Sequence, residues 1–234
     1  YLRDALALEP SVASSAREVL ASLRESWPLN TEFGLLMIDV LDTLGDFRES
    51  QSVYERCVEL ADVSRKGPLL LAQATHAEEN LGEPAVAFEL YRQAAVVSVD
   101  EVDLCIAGMR RAAWEGVDGA FGVLSDFLRQ VQRWDDLVEL LDGQAMLSAD
   151  DIERAATTFA IGEVLEKHTG QLEGALSHYL QAFRLNPGED QYITAAERIY
   201  RQQEQWDMVD NLLERRIELA EEAEGRMTLR VEQG

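Results

Sequence analysis

Apolar residues recur every three or four positions along most of the chain, in segments separated by short polar turns. Two such segments cover residues 69–81 and 159–169, and each is followed by a glycine, Gly82 or Gly170. This spacing is typical of an amphipathic helix, and the glycine suits the left-handed turn that ends one. Few runs alternate apolar and polar residues as strands do. The pattern therefore predicts an all-α chain whose unit is a helix, a tight turn and a second helix.

The segments after three glycines share one spacing of small and aromatic residues. Counted from the glycine, a small residue follows at the fifth position, a tyrosine at the ninth and a small residue at the twelfth. The three copies start at Gly45, Gly82 and Gly170. We expect the small residues to let two antiparallel helices approach closely and the tyrosine to fill the space towards the next pair. One pair cannot bury its own apolar face, so the pairs should stack.

A second form of the turn begins with tryptophan. Residues 134–142 match residues 206–214, which start 72 positions later. That distance is about two units of a 34-residue repeat.

These residues resemble the tetratricopeptide repeat family. The resemblance implies a right-handed α-solenoid of antiparallel helix pairs, with about 12–13 helices in one array over residues 1–234. The clear repeats cover 31–63, 69–98, 153–187 and 189–222. The chain departs from the family pattern in lacking the tryptophan near the start of the first helix, and in one extra residue before Gly82 and Gly170.

Two stretches, 11–27 and 99–131, fit the repeat poorly. Helices are expected near 101–114, 118–131 and 134–147, an odd number that the pattern does not pair. The chain opens at Tyr1 as if at the end of a helix and closes at Gly234 as if another were beginning. We therefore expect a solenoid cut at both ends, whose ends, around residues 1–8 and 227–231, are under-packed and open to self-association.

The excess of acidic over basic residues limits the kinds of partner that the chain can bind. The chain has 44 acidic and 21 basic residues and a net charge of −23, a surface that repels phosphates. Nucleic-acid binding and anionic membranes are therefore disfavoured, and no apolar stretch is long enough for membrane insertion. The acidity either keeps the protein soluble or attracts a basic partner.

Cys57 and Cys105 lie on apolar helix faces without metal-ligand spacing, which favours buried thiols and a reducing compartment such as the cytoplasm.

Catalytic chemistry has little support in the sequence. The three histidines are His76, His168 and His178. The first two occur near the ends of first helices, which indicates a structural role. No nucleophile, zinc or phosphate-loop motif is present, and acidic pairs are expected by chance in so acidic a chain. The sequence therefore predicts no catalytic residue, no metal, no cofactor and no enzymatic activity.

The family resemblance implies that the first helices line a concave groove for a peptide or a partner helix. The groove positions carried over would be acidic along most of their length and basic at the C-terminal end. Their side chains are either ordinary polar faces or a site for a basic or amphipathic segment of a protein partner. The residues at these positions are Leu35, Asp39, Asp42, Thr75, Glu78, Glu79, Phe159, Glu163, Glu166, Thr194, Arg198 and Arg201.

Three functional classes stay open at this stage. The first is a protein-interaction scaffold or adaptor, which the resemblance favours. The second is the regulatory or sensor region of a larger protein, such as a kinase or transcription regulator, an arrangement common in bacterial proteins. The third is an all-helical enzyme, which would need convergent polar residues in a closed pocket.

Overall fold

The computed structural model describes residues 30–218, together with the four helical positions Ser15, Glu18, Val19 and Ser22. Apart from those four positions, the predictions about 11–27 and about both chain ends lie outside the described residues. The chain divides into two compact units, of which the first ends at Leu124 and the second begins at Ser125.

The first unit is built from consecutive helices joined by short turns. Helix α1 packs on α2, α2 on α3, α3 on α4 and α4 on α5, so neighbours run antiparallel. The sixth helix contains the boundary between the units. The helices are α1 (Thr31–Leu44), α2 (Phe47–Leu60), α3 (Val63–Glu79), α4 (Pro84–Val97), α5 (Val102–Trp114) and α6 (Ala120–Gln130).

The second unit continues the same plan. Helix α7 packs on α8, α8 on α9 and α9 on α10. The helices are α7 (Trp134–Leu147), α8 (Asp151–Val164), α9 (Leu172–Leu185), α10 (Asp190–Gln202) and α11 (206–218). Between residues 30 and 218 there is no strand, so the predicted all-α fold of antiparallel helix pairs is confirmed. No helix in this range is both long and apolar enough to cross a bilayer.

Local sequence explains where these helices begin and end. The side chains of Asn30, Asp62 and Asp150 each accept a hydrogen bond from a backbone N–H of the following first turn, as N-caps do. Gly45 and Gly170 follow helical segments at φ of 76° and 70°. Glycine enters this left-handed region without the steric cost that a Cβ imposes.

The extra residue before Gly170 is absorbed inside the helix. Residues Leu165–Thr169 form one π-helical turn that continues α8. A π-turn adds a residue without breaking the helix, and it shifts the side chains that follow. The corresponding extra residue before Gly82 lies instead in the turn that follows α3.

The small residues and tyrosines that recur after Gly82 and Gly170 are buried. Ala87 and Ala175 are fully buried, and Tyr91 and Tyr179 are at most 1% exposed. The ring of Tyr91 lies against Gly108 of α5, in the next pair, as expected. The ring of Tyr179 lies against Gly162 of α8, in its own pair. Both cysteines are buried thiols, and burial raises the pKa of Cys105 to about 11.

Candidate partner-binding surface

The first helices of successive pairs are joined by a hydrogen-bonded link between an acidic and a basic side chain, and this link recurs three times. In each link a carboxylate near the end of one first helix meets a basic side chain 32 to 34 residues later. A tyrosine of the intervening second helix completes the group. We call these groups node 1 (Asp42, Tyr54, His76), node 2 (Glu78, Tyr91, Arg111) and node 3 (Glu166, Tyr179, Arg198).

Node 1 joins α1 to α3 through a histidine. The Nε2 atom of His76 lies 2.9 Å from Oδ1 of Asp42, and its Nδ1 lies 3.1 Å from Oε1 of Gln51. The imidazole is buried and packs against the ring of Tyr54, with 5.4 Å between centroids. Burial, followed by the charges of Asp42 and Asp39, raises the pKa of Tyr54 to about 12. The predicted structural role of His76 is therefore confirmed.

Node 2 joins α3 to α5 through a bidentate ion pair. The Nε and Nη2 atoms of Arg111 each donate to a different oxygen of Glu78 at 2.8 Å. The hydroxyl of Tyr91 donates to Glu78 at 2.5 Å and lies 3.4 Å from the hydroxyl of Thr75. This geometry is the strong form of a charge-assisted contact. The carboxylate is only 13% exposed, whereas the guanidinium is half exposed.

Node 3 repeats the arrangement in the second unit. The hydroxyl of Tyr179 donates to Oε2 of Glu166 at 2.7 Å, and Nη2 of Arg198 reaches the same oxygen at 2.7 Å. Glu166 belongs to the π-turn. A Cβ on Gly162 would lie 2.6 Å from the Tyr179 ring, so only glycine leaves room for this ring position.

Burial and hydrogen bonds in nodes 2 and 3 shift the pKa values of Glu78, Tyr91 and Tyr179. Hydrogen bonds from Arg111 lower the pKa of Glu78 most, and the Tyr91 hydroxyl adds to the effect. Burial, then the Glu78 hydrogen bond, raises the pKa of Tyr91 to about 12. The same two causes raise the pKa of Tyr179 well above its ordinary value, with Glu166 as the hydrogen-bond partner. Glu78 is thus held as an anion, and Tyr91 and Tyr179 as neutral donors.

Replacing Glu78 by glutamine should make the first unit less sensitive to acid. The pKa of Glu78 is lowered in the folded state, so its stabilising contribution is complete above the ordinary value of 4.5 and is lost as the pH falls through the lowered pKa. We expect the free energy of unfolding of the wild type to exceed that of Glu78→Gln by about 1 kcal/mol near pH 7, and the difference to shrink as the pH falls below 4.5 and through the lowered pKa. Urea unfolding at several pH values measures this. A difference that does not change with pH would contradict the role of the ionised carboxylate.

The predicted groove residues of the first unit fall into two groups. Leu35, Asp39 and Glu79 are exposed on the first helices. Thr75 is half-buried and bonds to the Leu71 carbonyl and to the node 2 tyrosine. Asp42 and Glu78 are node carboxylates, so their charges are used within the fold. The exposed negative charge on this face therefore comes from Asp39 and Glu79.

The predicted residues of the second unit are mostly paired. Phe159 is half-buried between the rings of Tyr179 and Tyr192, at 5.0 and 4.9 Å. Glu163 bonds to Lys167 at 2.5 Å, and Glu166 belongs to node 3. The two predicted arginines, Arg198 and Arg201, each form an ion pair.

The basic end expected for this surface is therefore partly neutralised. Arg198 binds Glu166, and Arg201 binds Glu197 at 2.6 Å. Thr194 donates to the Asp190 carbonyl of its own helix.

Sequence reasoning missed Arg111, because it lies in the stretch that fits the repeat poorly. One signal could have found it. In nodes 2 and 3 the tyrosine follows the glutamate by 13 residues, and the arginine follows the glutamate by 33 and 32 residues.

The surroundings of His168 differ from those of His76, although the sequence predicted the same structural role for both. His168 is exposed and stacks on Trp134 at 3.7 Å.

Within the described ranges, no three His, Cys, Asp or Glu side chains lie close enough together to hold a metal ion. The arginines of nodes 2 and 3 are more than half exposed, and each node joins one first helix to the next.

Comparison with known proteins places a repeat at the C-terminal end. Residues 193–227 match the sequence profile of the tetratricopeptide repeat. The described part of that match contains most of α10 and all of α11 up to residue 218. No curated protein matches the chain.

The chain is also similar to several solved structures, including the following three. MamA is 16% identical, with 82% of this chain and 96% of that chain covered and a TM-score of 0.35. BtubC from P. vanneervenii is 16% identical over 94% and 93%, with a TM-score of 0.37. The C-terminal part of a TPR repeat-containing protein from Cytophaga hutchinsonii is 12% identical over 90% and 75%, with a TM-score of 0.35. The repeat assignment rests on the helix pairs and on the matched segment.

Proposed function

We propose that this chain, a tetratricopeptide-like array of helix pairs, is a protein-interaction scaffold whose first helices bind a basic or amphipathic segment of a partner. The observation that carries the proposal is the recurring node. Because each node bonds one first helix to the next, α1, α3 and α5 lie side by side, as do α8 and α10. Adjacent helices of this kind present a continuous face to a peptide or helix.

The first unit offers both kinds of contact that an amphipathic basic helix requires. Leu35 is 43% exposed and supplies apolar area. Asp39 and Glu79 are exposed, and each lies beside a node, near Tyr54 or next to Glu78. Exposed carboxylates on this face would steer a basic partner and raise its association rate more than its affinity.

The second unit offers a different balance of apolar and charged side chains on its first helices. Phe159 supplies an aromatic surface, while Glu163 and Arg198 bring charges of both signs to the first helices α8 and α10. A mixed surface suits an amphipathic segment with its own pairs of charges, and an exposed ion pair such as Glu163–Lys167 exchanges partners at little cost. We therefore assign the basic part of the partner to the first unit.

Charge reversal on the first helices should weaken binding of a basic probe. The probe is a fluorescein-labelled amphipathic peptide of leucine and lysine, about five helical turns long. We expect the double variant Asp39→Lys and Glu79→Lys to bind about tenfold more weakly in fluorescence anisotropy, because two carboxylates become repulsive. Glu78 stays unchanged, because its loss would disturb node 2.

The matched control reverses two exposed acids on the second helix α2, Glu55→Lys and Glu59→Lys. Both double variants change the net charge equally, so general attraction falls equally in both. A loss of binding in the first-helix variant that clearly exceeds the loss in the control supports the proposal. Equal binding by the two variants would remove the first-helix face from consideration.

A further inference from the structure

A cleft between two second helices of the second unit carries chemistry that differs from the rest of the chain. It lies between α9 and α11 and has a volume of about 380 Å³, within the range of roughly 300–1,000 Å³ of side-chain and ligand pockets. The first helices α8 and α10, which carry the predicted groove residues, contribute none of its lining. The cleft is lined by Ser177, Leu180, Phe183, Arg184, Leu212 and Arg215.

The floor of the cleft is apolar and belongs to the core. Phe183 is 7% exposed and clusters with buried residues of α8 and α10, and Leu212 packs against the same cluster. Leu180 and Leu212 are half-buried, so each leaves part of its side chain uncovered. Apolar area of this kind favours an apolar side chain over water.

The rim is cationic in a chain with more than twice as many acids as bases. Arg184 and Arg215 are both exposed. Across residues 30–218, no acidic side chain pairs with Arg184. Within the same described range, Arg215 binds only Glu218, one turn along its own helix, with both side chains more than half exposed. Such a local pair gives way to an incoming carboxylate at little cost.

The lining residues form two parallel stripes. Ser177, Leu180 and Arg184 are spaced three and four apart along α9, which places them on one face. Leu212 and Arg215 are three apart on α11 in the same way. Two facing stripes with apolar residues at the bottom and arginines above are complementary to a third helix that has leucines on one face and carboxylates beside them.

We propose that this cleft binds an acidic amphipathic helix of a partner protein, with its apolar side chains against Leu180 and Leu212 and its carboxylates on Arg184 and Arg215. Arginine suits this contact because its planar fork binds a carboxylate through two hydrogen bonds. The site is separate from the first-helix face and takes a partner of the opposite charge.

The test uses the whole chain and a fluorescein-labelled amphipathic peptide of leucine, alanine and glutamate. The variant Arg184→Glu with Arg215→Glu should bind about tenfold or more weakly in anisotropy titrations. Its control, Arg129→Glu with Lys167→Glu, makes the same change in net charge on exposed positions elsewhere in the second unit and should retain binding. Ser177→Trp fills the cleft without a change of charge and should also weaken binding by about tenfold.

Weakening by the arginine variant and by Ser177→Trp, with retention by the control, supports the cleft. Absent binding to wild type, equal loss in the control, or retained binding in Ser177→Trp would overturn the proposal. Sedimentation of the wild type gives the remaining outcome. Self-association that the arginine variant abolishes would assign the cleft to a second copy of the chain and overturn the assignment to an acidic partner.

Discussion

Replacing Tyr179 by alanine is expected to lower the free energy of unfolding by about 4 kcal/mol. The side chain is fully buried, and its ring lies against Gly162 and against Phe159. Alanine leaves a cavity that the α8–α9 pair cannot fill, because the glycine has no side chain to move into it. Node 3 also loses the donor to Glu166. Urea unfolding followed by circular dichroism measures the change.

The variant Tyr179→Phe separates the hydroxyl from the ring. It keeps the packing and removes only the hydrogen bond to Glu166, so we expect a loss of about 1 kcal/mol. If alanine and phenylalanine cost the same, the ring does not fill the space between the helices and the described packing is wrong.

The second large effect is expected at Gly108. A Cβ at this position of α5 would overlap the ring of Tyr91, which is itself 1% exposed and bonded to Glu78. We expect Gly108→Ala to destabilise the protein by about 2 kcal/mol, since the ring or the helix must move. The loss occurs although alanine favours helix formation over glycine.

Gly122 provides the matched comparison. It also lies within a helix, α6, but a Cβ there meets no atom within 4 Å. Gly122→Ala should therefore stabilise the protein by about 0.5–1 kcal/mol. Thermal or urea unfolding of both variants gives the comparison. Stabilisation by both substitutions would show that the Tyr91 ring does not rest on α5.

Much of the fold could be predicted because its signals are local. The turns at Gly45 and Gly170 follow from helical spacing and from the left-handed conformation that glycine adopts. The buried Tyr91 and Tyr179 follow from their fixed distance to Gly82 and Gly170. The π-turn at 165–169 could not be predicted, because the sequence shows only that one residue is extra. Whether a helix or a turn absorbs that residue depends on packing.

The site was harder to predict because its charges are shared across pairs. Glu78 and Glu166 read as exposed acids when each first helix is considered alone. Their partners, Arg111 and Arg198, lie more than 30 residues away on the next first helix. Node 1 uses His76 in the arginine position, which conceals the recurrence further. The sequence therefore did not indicate which carboxylates stay exposed.

The scaffold account is tested most directly by amide chemical-shift mapping of the isotopically labelled chain with the leucine–lysine peptide. We predict that the shifts which change concentrate on the first helices α1 and α3, around Asp39, Thr75 and Glu79, while the second helices α2 and α4 change little. Changes concentrated on α2 and α4, or spread evenly over exposed acids, would contradict a partner-binding face on the first helices.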